Sequence, residues 1–460
     1  MKHPKTGITI VSILLVLLTA GGIVAYRIDK IAERVANEKL QLVVEEQHIP
    51  ITWSGLHLRI GHIHWLKLLS QRVVQVDRVR VSCEQIVYAD TANFSSLQLD
   101  SLTVEVHDIC YNLRDSSFAY NDSVYLLQSG RLAYTSPDSL FEATVGSLYT
   151  RDAGEILLKE IAGGNTDKPE EHADRMGKQE VTWARFNLQA VRISPVNVIR
   201  LAQAQEINID SVEICGKSTD IYYDSHYPPK EPYPMPSESM LAIKMPLHVG
   251  YIDAMLNQFH VAVTTDGMHA GTLELKQTHA RIRNLSNRLG STMHTTLQTH
   301  FADGGKVNIA TDMTMNKQGS LTFDADITQT TGSDLASLTK PLLGVELNCN
   351  FHSISTRCTG DSKTLHGTFC MVYDSLSIHV DEDNPMEELG KFAGLVNTLA
   401  PVVLYNRNPR SANAEPKSFE VQAQHDPMQP FPAYFIGTIN DGMLQTVLPF
   451  GIGKGLMQKK

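Results

Sequence analysis

The sequence predicts a mainly β protein: an N-terminal transmembrane helix, then an elongated, curled, mostly antiparallel sheet shaped as a groove, then C-terminal helices. Three observations predict it. Gly7 to Tyr26 carry no charge, long stretches alternate apolar and polar residues, and the spacing turns helical near the C-terminus.

The uncharged run "GITIVSILLVLLTAGGIVAY" spans roughly 30 Å as a helix, the thickness of a bilayer core. A cleaved signal peptide would have a shorter apolar region, so the run is read as an uncleaved anchor. Lys2 and Lys5 precede it, whereas Arg27, Lys30, Arg34 and Lys39 follow. That count alone would place the following chain in the cytoplasm. Asp29, Glu33 and Glu38 are interleaved there, however, and large domains translocate with little regard to such bias, so the bulk is expected outside the cytoplasm.

Residues 27–48 continue as an amphipathic helix, with Ile28, Ile31, Ala32 and Val35 at helical spacing and Pro50 beyond its end. Residues 49–221 then read as strands. Val74 and Val76, Val79, Val81 and Cys83, and "LQLDSLTVEV" at 97–106 all alternate.

In that last stretch Leu97 and Leu99 are followed, after Asp100-Ser101, by Leu102, Val104 and Val106, a step of three that would turn a simple strand over. The unit recurs with Ile207, Ile209, Val212 and Ile214, and with Leu376 and Ile378, while Asp122-Ser123 and Asp138-Ser139 repeat its centre. A bulge or kink absorbs the odd residue and bends the sheet. A two-residue hairpin turn is the alternative, but it prefers glycine after Asp or Asn. The bulge or kink is therefore favoured, and repeated kinks would curl a long sheet into a trough whose apolar face these eleven side chains line.

Residues 222–240, with five prolines and four tyrosines in "YYDSHYPPKEPYPMPSES", read as a linker. A second β region occupies 241–384. Asn384, Pro385 and Glu387 form a capping arrangement for a helix over 385–400, with Leu389, Phe392, Val396 and Leu399 as its stripe and Pro401 as its end. A linker, 401–430, leads to an apolar helix over 431–460 with Lys459-Lys460 at its basic end. Asn440, Asp441 and Gln445 make that helix a poor membrane span, so it is expected to cap the sheet or lie on a membrane surface.

Lys and Arg number 40 against 50 Asp and Glu, a formal net charge of -10, which argues against a nucleic-acid-binding surface. The six cysteines show no C-x-x-C pair; in an oxidising compartment disulfides are permitted, with Cys349 and Cys358 across a hairpin as one candidate. Phosphate loops, nucleophile elbows and H-E-x-x-H are absent from the sequence. His57, His62 and His64 could ligate a metal, and Asp324 with Asp326 could serve acid–base chemistry. Solvent-facing strand positions explain both groups better. No cofactor or catalytic residue is expected.

The stretches "MPLHVGYIDAMLNQFHVAV", "GTLELKQTHARIRNLSNR" and "GTFCMVYDSLSIHV" with the helical tail, together about 240–460, resemble the AsmA-like envelope proteins, a bacterial branch of the repeating β-groove superfamily that includes bridge-like lipid transfer proteins. Relatives often carry an aromatic residue and an acid where this chain has Val261-Ala262-Val263-Thr264-Thr265. The resemblance implies a single-pass bacterial inner-membrane protein with its bulk in the periplasm, whose groove holds or transfers phospholipid, with envelope proteins as possible partners. A closed sandwich acting as an envelope scaffold is the alternative. The Asp-Ser triplets also resemble an extracytoplasmic O-glycosylation acceptor of one group of Gram-negative bacteria, at Ser101, Ser123, Ser139, Ser211 and Ser375. A purely structural role is the favoured reading of these serines.

Intact-mass measurement of native protein is expected to give the uncleaved chain. A mature chain beginning near Tyr26 would contradict the anchor, and mass above that of the polypeptide would locate the glycan reading in fact.

Overall fold

The computed structural model describes residues 25–45, 51–90, 95–150, 154–194, 206–302, 304–380, 393–411 and 413–448. The expected span lies outside them except at Ala25 and Tyr26, as do the capping residues 384–387 and the basic end. Among the described residues no helix is long and apolar enough to cross a membrane. The protein is mainly β, and the chain divides into two compact units, Met1–Thr166 with Ala190–Gln203, and Asp167–Gln189 with Ala204–Lys460.

In the first unit, helix α1 (Ala25–Glu45) precedes β1 (Ile51–Ser54) and β2 (His57–Ile60), which pair side by side along β3 (Val73–Asp90). A short helix, α2 (Trp65–Gln71), leads into β3. The antiparallel ladder continues through β4 (Ser95–Asn112), β5 (Phe118–Ser129), β6 (Leu132–Thr135), β7 (Phe141–Thr150) and β8 (Ile156–Asn165). The face of α1 that meets the sheet is Ala32 and Ala36, with Leu40 beside them, packed on Leu58, Ile60, Val74 and Val76. Ile31, expected in that stripe, is 54% exposed. Small residues win this face because α1 also bonds the strand backbone: Asn37 accepts from the Leu58 N–H at 2.6 Å and donates to its carbonyl at 2.7 Å.

The second unit begins with α3 (Pro169–Arg175) and the first part of β9 (Val181–Ser194), which pairs with β10 (Ile207–Asp224). β10 runs parallel to β11 (Leu247–Thr264), an exception to the expected antiparallel order. A parallel pair requires a long crossover, and the Pro/Tyr-rich segment supplies it. It includes α4 (Pro236–Ala242) and is held down along its length. Tyr223 and Tyr233 donate to Glu180, and Tyr227 donates to Asp174 at 2.9 Å.

From β11 the chain meanders antiparallel through β12 (Ala270–Ser286), β13 (Thr292–Phe301), β14 (Lys306–Thr314), β15 (Leu321–Thr331), β16 (Val345–Gly360), β17 (Thr364–Val380) and β18 (Ser418–Gln424). Helix α5 (Gly332–Leu343) joins β15 to β16, α6 (Ala393–Val403) follows β17, and α7 (Phe431–Val447) follows β18. Pro401, expected to end the first C-terminal helix, lies inside α6, two residues before its end, where a proline removes a single backbone bond. Cys349 and Cys358 both lie on β16 and are free thiols, so the hairpin disulfide does not form.

The steps of three have a common explanation. On β3 and β4, Val74 faces Tyr111 and Val76 faces Ile109; then Val79, Val81 and Cys83 face Val106, Val104 and Leu102; then Ile86 faces Leu99 and Tyr88 faces Leu97. The register never changes, and pairing is interrupted only at Asp77/Asp108 and Glu84/Ser101, seven positions apart on each strand. Asp108 and Ser101 have φ of 50° and 49°. A left-handed residue replaces one extended step, so the side chains beyond it return to the face they would otherwise leave. Val74 and Val76 pack in one cluster with Val79, Val81, Ile109 and Tyr111 from both sides of the first interruption.

The second unit repeats this crease. Pairing across β10, β11 and β12 is interrupted at Asp210/Gly250/Asn284 and again at Lys217/Asn257/Gln277, with left-handed φ at Asn284 (57°) and Gln277 (52°). Gly250 is required there, since a Cβ would lie 2.8 Å from the Asp210 carbonyl. The other Asp-Ser copies differ. Ser375 and Leu376 oppose Cys349 alone, a true bulge, and the Asp374 carboxyl is held down to about 2 by hydrogen bonds from Ser375, Asn350 and His352. Asp138-Ser139 lies in the β6–β7 hairpin connection, where residues 137–140 stand between the bonded Ser136 and Phe141, a longer loop than the two-residue turn considered.

Replacing Ser101 by valine, which disfavours positive φ, is expected to cost about 1–2 kcal/mol, whereas asparagine should be nearly neutral. Denaturant unfolding of both variants checks this.

Candidate functional site

The candidate site is the apolar face that the creases keep continuous. In the first unit one row crosses five strands: Ile86, Leu99, Leu132, Val145 and Ile161 stand directly opposite one another in turn. Leu102, Val104 and Val106 extend it along β4, with Val104 opposite Val81 and Leu127. All of these are half-buried, and Leu97 is 37% exposed. The described helices of this unit pack on β2 and β3, leaving these rows without a helix above them.

In the second unit Ile209 lies beside Val249, Val212 beside Ile252 and Ile214 beside Ala254, and these continue to Leu285, Ile282 and Ala280 on β12. The predicted β10 residues are again half-buried. Toward the other end of the same strands is a cavity of about 620 Å³, walled by Trp183, Tyr222, Val261 and Leu273 and bordered by Asp220 and His260. His260 Nδ1 and Asp220 Oδ1 are 2.8 Å apart. The Tyr222 hydroxyl is pushed up to about 12 by burial and then by nearby carboxylates, so it stays protonated as a donor.

The far end of the same unit is closed. Helix α7 lies on β17 and β18, stacking Phe435 on Phe323 with ring centroids 4.2 Å apart. Phe369, Leu365, Met371 and Tyr373 beneath are essentially sealed from solvent. Gly442 permits this approach, because a Cβ there would fall 2.1 Å from Phe369. Asp441 accepts from the Gln422 N–H at 3.1 Å and Gln445 donates to the Glu420 carbonyl at 2.9 Å, which covers the edge of β18. Leu376 packs against this core and Ile378 faces Leu347, so these two predicted lining residues adjoin a filled face.

Sequence reasoning missed Ile86, Leu132, Val145 and Ile161, which show no more than ordinary alternation; only register aligns them with Leu99. Glu105, whose side chain points to the opposite face from Val104 and Val106, is 9% exposed and bonded to His107. Ser101, Ser139 and Ser375 are exposed, Ser211 is half-buried, and the Ser123 side chain lies outside the described residues. His64 bonds Asp77 at 2.6 Å, and among the described residues no group of three acidic, histidine or cysteine side chains is set to hold a metal. Asp326 pairs with Arg357 at 2.6 Å and Asp324 lies 3.7 Å from the same guanidinium. No family model, curated protein or solved structure matches the chain.

Phe369→Ala, at a side chain 0% exposed, should cost about 3–5 kcal/mol as a cavity in a closed core, whereas Leu132→Ala on the half-open row should cost about 1 kcal/mol or less. Thermal or denaturant unfolding of the two variants measures the contrast.

Proposed function

We propose that this chain is a membrane-anchored, AsmA-like protein of the bacterial inner membrane whose sheet holds or passes phospholipid on the periplasmic side, without catalysis. The observation that carries the reading is the row Ile86–Leu99–Leu132–Val145–Ile161, apolar throughout, unbroken in register and half-exposed. Five strands at about 4.8 Å spacing make such a row roughly 19 Å long, enough for one acyl chain, which in a bilayer core occupies about 15 Å. A conventional core would bury those side chains; an acyl chain would do so here. The uncharged run Gly7–Tyr26 would tether that face beside its source of lipid.

A second reading, an envelope scaffold with a closed sheet, is favoured by one observation: α7 fills the face of β15 to β18. The two readings diverge at Val104. A carboxylate on an open row meets acyl chains, so Val104→Asp should lower co-purified lipid while the melting temperature falls little, because water reaches the site once lipid leaves. Thr103→Asp, on the opposite face, should leave co-purified lipid unchanged. Collapse of the fold in the Val104 variant would favour the scaffold, and a stable variant with unchanged lipid would remove the groove reading. Lipid analysis and melting of the gently purified full chain supply both readouts.

A further inference from the structure

The cavity at the ends of β10 to β12 is lined with acids and aromatic rings. Asp220, His260 and Glu274 stand beside one another on the three strands, and Tyr222, Ala262 and Thr272 form the next row, so all six side chains share one face. Helix α3, packed at β10, contributes Glu170, and α5, packed at β12, contributes Asp334. Ser337 of α5 fixes that side by donating to the Thr272 carbonyl at 2.8 Å. Trp183 and Tyr222 are only 7% and 6% exposed, so packing holds the aromatic walls in place.

Glu170, Asp220, Glu274 and Asp334 thus line one space, and among the described residues that line it there is neither Lys nor Arg. Nearby basic groups offset this only in part. His260 lies 2.8 Å from Asp220, Lys276 lies 3.6 Å from Glu274, and Arg185 sits over the Trp183 ring at 5.5 Å. Lys168 and Arg175 are drawn to Glu171 at 3.4 and 3.6 Å, while the neighbouring acids Asp224 and Asp266 pair with His226 and His269. Asp334 accepts from the Thr331 N–H through Oδ2 at 2.7 Å, and its Oδ1 is buried with no hydrogen-bond partner among the described residues, a position that a nearby cation would compensate. The Tyr222 hydroxyl registers the surplus of negative charge, since burial and then Asp224, Glu170 and Asp266 keep it protonated.

We propose that this cavity binds a linear aliphatic polyamine, with its ammonium groups at the carboxylates and its methylene chain against Trp183 and Tyr222. The spacing of the acids selects this ligand over a single ammonium ion. Asp220 and Glu274 are two strand spacings apart, roughly 10 Å, and Glu170 and Asp334 enter from helices on opposite sides of the three strands. One charged group cannot meet them all, whereas a chain with ammonium groups at intervals meets them in turn, and aromatic faces attract its cations. The volume of about 620 Å³ is that of a small-molecule site. A bare metal ion needs converging ligands, and among the described residues no three such side chains are so grouped. An amine-bearing lipid headgroup shares the ammonium, but its phosphate would lie among carboxylates with no basic lining residue to receive it. The inference needs neither the membrane anchor nor lipid in the groove.

The test titrates spermidine into the full chain, held in an uncharged detergent at physiological salt, and follows heat and tryptophan emission together. The chain has three tryptophans, so Trp53→Phe with Trp65→Phe leaves Trp183 as the sole emitter. Its emission should change and saturate together with the heat, at one spermidine per chain. Glu170→Gln with Glu274→Gln should weaken binding roughly a hundredfold, about tenfold for each charge-assisted contact removed. Both side chains are well exposed, Glu274 at 40%, so melting of the unliganded variant should change little. Magnesium at equal charge concentration should fail to displace spermidine, and phosphoethanolamine, standing for the lipid headgroup, should compete at least about tenfold less well than a second polyamine. Heat without saturation, saturation without a change at Trp183, or unaltered binding by the double variant would each overturn the proposal. Displacement by magnesium would reduce it to counter-ion attraction, and equal competition by phosphoethanolamine would replace the polyamine with a headgroup. If the double variant melts markedly lower, the competition on the unaltered chain still decides.

Discussion

The architecture depends on keeping one face of very long strands apolar. Side chains alternate at every residue, and the apolar positions of β3 and β4 do not: they run in blocks separated by steps of three. A flat strand would send successive blocks to opposite sides, leaving each half of the sheet with its oily residues in water. Creases at matched positions on neighbouring strands remove the conflict without shifting register, so the apolar residues of these blocks still meet apolar neighbours. Each crease uses a left-handed residue, a conformation that side chains such as Ser and Asp, able to bond locally, adopt at modest cost. The same solution at seven-residue intervals on β10 to β12 shows that it belongs to the repeat and not to one pair of strands.

Long strands also expose long edges, and the helices meet that problem with side chains as well as with bulk. An amide reproduces the donor and acceptor of a missing strand partner, as Asn37 does for Leu58 and Asn397 for Val380. At β18 the two roles are divided between Asp441 and Gln445. Backbone groups left open at such edges would be templates for pairing with another chain. Two of the polar residues that make α7 unsuitable for crossing a membrane, Asp441 and Gln445, are thus those that fix it to the sheet.

Filling and openness alternate along the second unit. Where α7 lies against the sheet, aromatic rings pack to exclude solvent and the region is an ordinary core. Along β10 to β12 the apolar rows are only partly covered, and the sheet's stability there must come chiefly from its ladders and cross-strand pairs. Such a division gives a closely packed body at one end and a partly covered apolar face elsewhere.

The alternation of Val, Ile and Leu with polar residues was sufficient to mark strands on either side of residues 222–240, and helical spacing marked the helix after residue 25 and the one beginning at Phe431, because periodicity is a local property of the chain. It also identified the Asp-Ser pairs as interruptions. Their geometry was not legible: Ser101 lies in a register-preserving crease, Ser375 in a bulge and Ser139 in a hairpin turn, and only the opposing strand distinguishes these. The parallel step between β10 and β11 was equally hidden, since the prolines that signalled a linker are also what a crossover beside a sheet tolerates. Leu102 and Leu376 follow the same Asp-Ser pair in sequence. One stays half-open and the other joins a filled core, because a helix some sixty residues farther along covers the second, whereas the described helices of the first unit pack on β2 and β3. What faces a side chain is decided by residues distant in sequence, and that information enters only when the chain has closed on itself.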